Sequence, residues 1–163
     1  MNVHSKKADS SDSDLVRLAL AGVEKDRVGD VASNPAAAQL RDRGPCVLPA
    51  IEDVVGSVTA SATSDDITSV RFHGLSSVLV SYFEIAKESA IERAAEFVKS
   101  LSPEAQHEAL TAIWSIWLGR TRRERIPSTL LSSIEEIASA GTEVHNQQAS
   151  SLLRTHTKYF GTR

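Results

Sequence analysis

Four guanidinium groups fall within six residues in Arg120-Thr121-Arg122-Arg123-Glu124-Arg125. Arginine suits phosphate because its planar fork donates two hydrogen bonds at once and keeps its charge. The cluster therefore points to contact with phosphate, nucleic acid or an acidic protein surface, and Arg154, Lys158 and Arg163 extend the patch if the last helix packs alongside. A purely structural use is equally physical. Cations that follow a helix stabilise the negative end of its macrodipole by about 0.3–1 kcal/mol, and they pair with acidic groups elsewhere on the chain.

Other chemistries lack their spacing. His4, His73, His107, His145 and His156 form no His-Glu-x-x-His, and Thr111 stands where His107-Glu108 would need a second histidine. His145 and His156 share a face of one predicted helix, but three turns separate them by about 16 Å, too far to share an ion. The glycines compose neither a dinucleotide fingerprint nor a P-loop, and no serine stands in a G-x-S-x-G elbow. Cys46 follows Gly44-Pro45 at a helix start, where the dipole favours a thiolate, yet its neighbours Val47 and Leu48 predict a buried small hydrophobe. No catalytic residue, metal-ligand set or cofactor is read from these patterns, although a site assembled only in space leaves no such trace.

Near the N-terminus, Ser10-Ser11-Asp12-Ser13-Asp14 sets hydroxyls beside carboxylates, a composition that acidophilic kinases accept. Residues 1–13 are polar and aperiodic. They read as a flexible arm, with Ser10, Ser11 and Ser13 its candidate interaction positions.

The remainder, 14–163, reads as helices. Asp14 is a predicted N-cap, followed by Leu15, Leu18, Ala19, Gly22 and Val23 at helical spacing toward Gly29. Asn34-Pro35 starts a short second helix that Gly44-Pro45 stops, and a third spans 45–58. Residues 59–66 are small and polar and read as an internal linker. The β-branched and aromatic content of 67–83 admits a hairpin around Gly74, but the i+3/i+4 steps of Ile67, Val70, Gly74, Val78, Tyr82 and Phe83 decide for two helices, or one long kinked one, from about 66 to 101. Ser102-Pro103 opens a helix expected to reach Arg123. It carries Trp114 and Trp117, is apolar around most of its circumference and is expected to be the most buried. Two more follow, over 128–140 and 142–159, with Gly141 between them.

The expectation is an all-α compact single-domain bundle of six to seven helices, or a short helical-repeat-like stack, in a chain of 163 residues and 17.6 kDa. Alanine and serine dominate, and small residues let helices approach closely. No apolar run reaches the roughly 18–20 residues of a bilayer span, so no membrane contact is expected. The first fourteen residues lack an apolar core like that of a signal peptide, and one cysteine cannot form an internal disulfide; a cytoplasmic, intracellular site is expected.

The net charge of −3 is unevenly spread. Residues 1–118 hold 11 basic against 17 acidic side chains, whereas residues 119–163 hold 7 against 4. A pI near 5.9 argues against a nonspecific nucleic-acid coat of positive charge. The leading expectation is a non-enzymatic helical protein acting by protein–protein interaction or self-assembly, with a protein partner or a homo-oligomer of its own copies. The alternative is a nucleic-acid-associated protein, a coat or nucleoid-type component, whose Arg120, Arg122, Arg123 and Arg125 neutralise phosphates.

Overall fold

A computed structural model describes residues 3–22, 34–67, 72–121, 123–141 and 143–162, without the side chains of 3–11, 64 and 143–145. The chain is all-α. Its helices are α1 (Val3–Ala21), α2 (Pro35–Arg43), α3 (Leu48–Thr59), the single turn α4 (Ser64–Ile67), α5 (Leu75–Ser89), α6 (Ile91–Ser100), α7 (Pro103–Trp117), α8 (Ser128–Ala140) and α9 (Glu143–Phe160). A 3-10 turn over Gly44–Val47 leads into α3, and Pro49 is accommodated in that helix's first turn. The hairpin alternative for 67–83 is not realised. From Leu75 onward this stretch is the first half of α5, and Ala90 breaks α5 from α6 with an extended φ of −147°.

Several boundaries differ from expectation. Helix α1 starts at Val3 instead of Asp14, so the segment expected as an arm continues the helix, and Asp12 is ion-paired with Arg43 at the end of α2. The same helix ends at Ala21, because Gly22 takes a left-handed φ of 66° and turns the chain away. Residues 23–33, including the Gly29 terminus expected from the pattern, lie outside the described residues. The linker over 59–66 is shorter than it reads: Thr59 closes α3, and the Thr63 and Asp66 pair starts α4. In that pair the Thr63 N–H donates to Asp66 Oδ2 at 2.8 Å and the Asp66 N–H donates to Thr63 Oγ1 at 3.2 Å, a reciprocal capping box.

The most buried helix is α5, not the tryptophan helix. Nine of its fifteen residues are buried, against six of fifteen in α7. Helix α5 packs on α1, α2, α3, α6 and α7, so it has neighbours on nearly every side. Its serines hide this in the sequence. Ser77 and Ser81 look like surface residues but are small enough to let α2 come close, and Ser81 Oγ donates to the Ala37 carbonyl at 3.3 Å. Trp114 and Ile116 of α7, by contrast, remain half-buried at the edge of the core.

Asn34 joins α1 to α2. Its Oδ1 accepts from the Ala37 N–H at 3.1 Å as the N-cap of α2, while its Nδ2 donates to the Ala19 carbonyl at 2.9 Å. The residue is buried, so water cannot replace either bond. Asn34→Ala is expected to cost about 2 kcal/mol in urea unfolding, about half from the cap and half from the lost bond to Ala19. Asn34→Asp keeps the cap acceptor but sets a carboxylate oxygen against the Ala19 carbonyl in a buried site, and should cost at least as much.

Candidate functional site

Helix α7 ends at Trp117, six residues short of the expected Arg123, and this places the arginine cluster. Leu118 leaves helical geometry, and Gly119 lets the chain fold back: a side chain there would put its Cβ 2.6 Å from the Ser115 carbonyl. Leu118 then pairs with Arg123 in an isolated antiparallel bridge, and the Glu124 N–H donates to the Trp117 carbonyl at 2.7 Å. The arginines thus lie on a tight loop across the end of α7, before the chain enters α8.

Helix α9 runs beside α7 in the same direction. Gln148 Nε2 donates to Thr111 Oγ1 at 3.2 Å midway along the pair. At its C-terminal end the buried His156 accepts the Ile126 N–H on Nε2 at 3.2 Å, and Arg125 Nη2 donates to the Phe160 carbonyl at 3.1 Å. Two helix C-termini therefore meet at one arginine-rich loop.

The sequence-derived candidates divide accordingly. The Arg123 guanidinium stacks 4.0 Å from the centre of the Tyr159 ring, and Lys158 Nζ lies 5.8 Å from the same ring. Arg125 turns back onto α9, with its guanidinium 5.4 Å from the Phe160 ring. Arg120 is exposed on the loop, and Arg154 lines a groove between α8 and α9 with Gln147 and Ser151. Arg122 and Arg163 lie outside the described residues. Among the described residues none of Arg120, Arg123, Arg125, Arg154 and Lys158 is ion-paired with a carboxylate, and Glu124 is drawn instead to Lys87 of α5 at 2.7 Å.

Part of this charge is used locally. The macrodipole role expected for the end of α7 falls instead on α9, because Arg125 binds its last carbonyl and Lys158 occupies its last turn, while α7 has no cation in its last turn. Two helix C-termini carry about half a negative charge each, so the five cationic side chains leave a surplus of about four positive charges. Tyr159, 38% exposed, sits beside Arg123 and Lys158, and among the described residues it and Leu18 of α1 are the large apolar side chains left open.

The opposite end of the α7 and α9 pair is acidic. There Lys99 binds Glu96 at 3.0 Å and Glu136 at 3.6 Å, and Glu104 and Glu108 open α7. The Glu96 hydrogen bond, and after it the Glu136 charge, raises the Lys99 pKa. With a rise of 1.5 Å per residue, α7 holds the two ends about 20 Å apart.

Remaining candidates stand apart from this end of the molecule. Cys46 is exposed and not buried as its neighbours suggested, because the 3-10 turn points it outward, with Sγ donating to the Arg43 carbonyl at 3.1 Å. Ser13 is half-buried on α1, far along the chain from the basic loop. The side chains of Ser10, Ser11, His4 and His145 lie outside the described residues, His107 is exposed, and His73 is half-buried. Among the described residues no three His, Cys, Asp or Glu side chains gather to hold a metal, and no helix is long and apolar enough to cross a membrane. Tyr82 was not singled out by sequence. Burial, and then the Glu52 carboxylate ion-paired with Arg93, push its phenol far above the ordinary range and keep it neutral.

His156 and Tyr159 are the residues that spacing alone undervalued. His156 continues the inward stripe of Ala149, Leu152 and Leu153, a signal of burial that the sequence did carry. Comparison of this chain with protein families, with curated proteins and with solved structures finds no match in any of the three.

Proposed function

We propose that this chain is a non-enzymatic helical binding protein that acts by contact with another protein or with copies of itself. The observation that supports the reading is charge polarity. A basic end with a surplus of about four charges surrounds an exposed tyrosine, and an acidic end lies about 20 Å away on the same pair of helices. Such complementarity steers association and sets orientation more than it adds affinity, so the contact should weaken with salt. Light scattering during gel filtration tests this. The expected result is a mass above the 17.6 kDa monomer at low salt, or a protein retained on the immobilised chain, either reduced by Arg123→Glu with Lys158→Glu. A strict monomer that retains no protein at low salt would overturn the reading.

A second reading is contact with nucleic acid through Arg120, Arg123, Arg125, Arg154 and Lys158. The Arg123–Tyr159 stack favours it, since an aromatic ring among cations that no described carboxylate neutralises offers both phosphate contact and a stacking surface. Fluorescence anisotropy with a labelled single-stranded oligonucleotide decides. Binding should fall with salt at a logarithmic slope of about −0.7 per phosphate contacted, and losing Arg123 should flatten that slope by about one contact. No anisotropy change at low salt removes this reading.

A further inference from the structure

The buried His156 has no part in the binding readings, yet its ring holds the segment that follows the arginines. Its Nε2 accepts the Ile126 N–H, so at this position the ring is unprotonated and the proton of the neutral imidazole resides on Nδ1. Ile126 is itself buried and leads directly into α8. The bond sits one residue from Arg125, which binds the last carbonyl of α9, and three from Arg123, which stacks on Tyr159. The Nε2 bond is therefore the tie at the α8 end of the loop, beside the Glu124 bond to the Trp117 carbonyl and the Arg125 bond to the Phe160 carbonyl.

We infer that His156 is a proton-operated latch: the neutral ring holds Ile126, where the arginine loop enters α8, against α9, and protonation at Nε2 releases that contact. A proton taken from solvent by Nε2 consumes the lone pair that accepts from Ile126 and sets two N–H groups facing each other. It also adds a positive charge where positive charge is already in surplus. The ring packs on Phe160, whose carbonyl Arg125 binds; the charged residues closest to His156 or Ile126 in the chain are Arg154 and Lys158 on α9 and Glu124 and Arg125 on the loop. On α7, Glu108 is the last charged residue, more than two turns before the helix ends. Among these the carboxylate nearest in sequence to Ile126, that of Glu124, is held by Lys87.

The latch regulates the surface proposed above for binding, and that link rests on the binding reading; the latch itself does not, because it is a property of the free chain. The test is amide hydrogen exchange by NMR on the full-length protein from about pH 7.5 to about pH 5. Protection of the Ile126 amide, corrected for intrinsic exchange, is expected to fall at least about tenfold across this range. The Val78 amide, bonded to the Gly74 carbonyl in the core, should keep its protection. His156→Gln supplies an acceptor that does not titrate, so its Ile126 protection should not change with pH. Ring nitrogen shifts of the wild type should show Nε2 bare near neutral pH.

Unchanged Ile126 protection, equal loss at Val78, a pH step that persists in His156→Gln, or a proton on Nε2 near neutral pH would each overturn the latch. An intact latch in a chain that binds neither protein nor nucleic acid would instead fault the binding reading alone.

Discussion

Gly74→Ala is expected to destabilise the protein by about 4 kcal/mol. A Cβ on Gly74 would lie 1.6 Å from the Ala19 carbonyl oxygen, 2.7 Å from its carbon and 3.0 Å from Asn34 Nδ2. The first two are backbone atoms of α1, so no rotamer change relieves the clash. The backbone itself is ordinary there, with φ −89°, and the demand for glycine is entirely one of space. Overpacking of this kind costs about 1–3 kcal/mol, and separating the segments adds the loss of two hydrogen bonds worth about 1 kcal/mol each. Those bonds are Gly74 N–H to the Leu20 carbonyl at 2.9 Å and Asn34 Nδ2 to the Ala19 carbonyl. Gly56 supplies the control. It lies inside α3 with nothing within 4 Å of a built Cβ, so Gly56→Ala should stabilise by about 1 kcal/mol through helix propensity. Urea unfolding of the pair measures both, and similar shifts of the same sign would refute the close approach of α1 to Gly74.

The second large effect separates two tryptophans that the sequence presents as equivalent. Trp117 is 1% exposed, and Trp117→Ala should cost about 4 kcal/mol in cavity and lost burial. Trp114 lies at the edge of the core, and its truncation should cost less than half as much because solvent already reaches it. Trp117 also has a local consequence. Its carbonyl receives the Glu124 N–H, and Lys87 reaches from α5 to within 5.7 Å of its ring while bonding Glu124. Loss of the ring should therefore loosen the arginine loop in hydrogen exchange before the rest of the molecule. Equal unfolding costs for the two variants would contradict the deeper burial of Trp117.

The relation between the arginines and α9 explains why the basic cluster could be recognised but not interpreted from its spacing. Four arginines in six residues announce a concentration of charge. Whether they cap a helix depends on where α7 stops, and that depends on Gly119 folding the chain back under Leu118. Which helix they cap depends on α9 arriving from more than twenty residues downstream. Tyr159 gains its place among the cations for the same reason.

By itself the sequence determined the helical class, the starts of α2 and α7 at Asn34-Pro35 and Ser102-Pro103, and the uneven charge. These follow from local rules: apolar spacing, capping hydroxyls and amides, proline at a first turn. The structure decided that α5 is the centre, that Cys46 faces outward, that α1 starts at Val3 and sets Asp12 against Arg43, and that Arg125 and His156 tie one loop to α9. Apart from Cys46, which a local 3-10 turn directs outward, these turn on contacts between residues far apart in the chain, where small side chains admit a neighbour and a buried acceptor selects its donor, and no local period records such pairings.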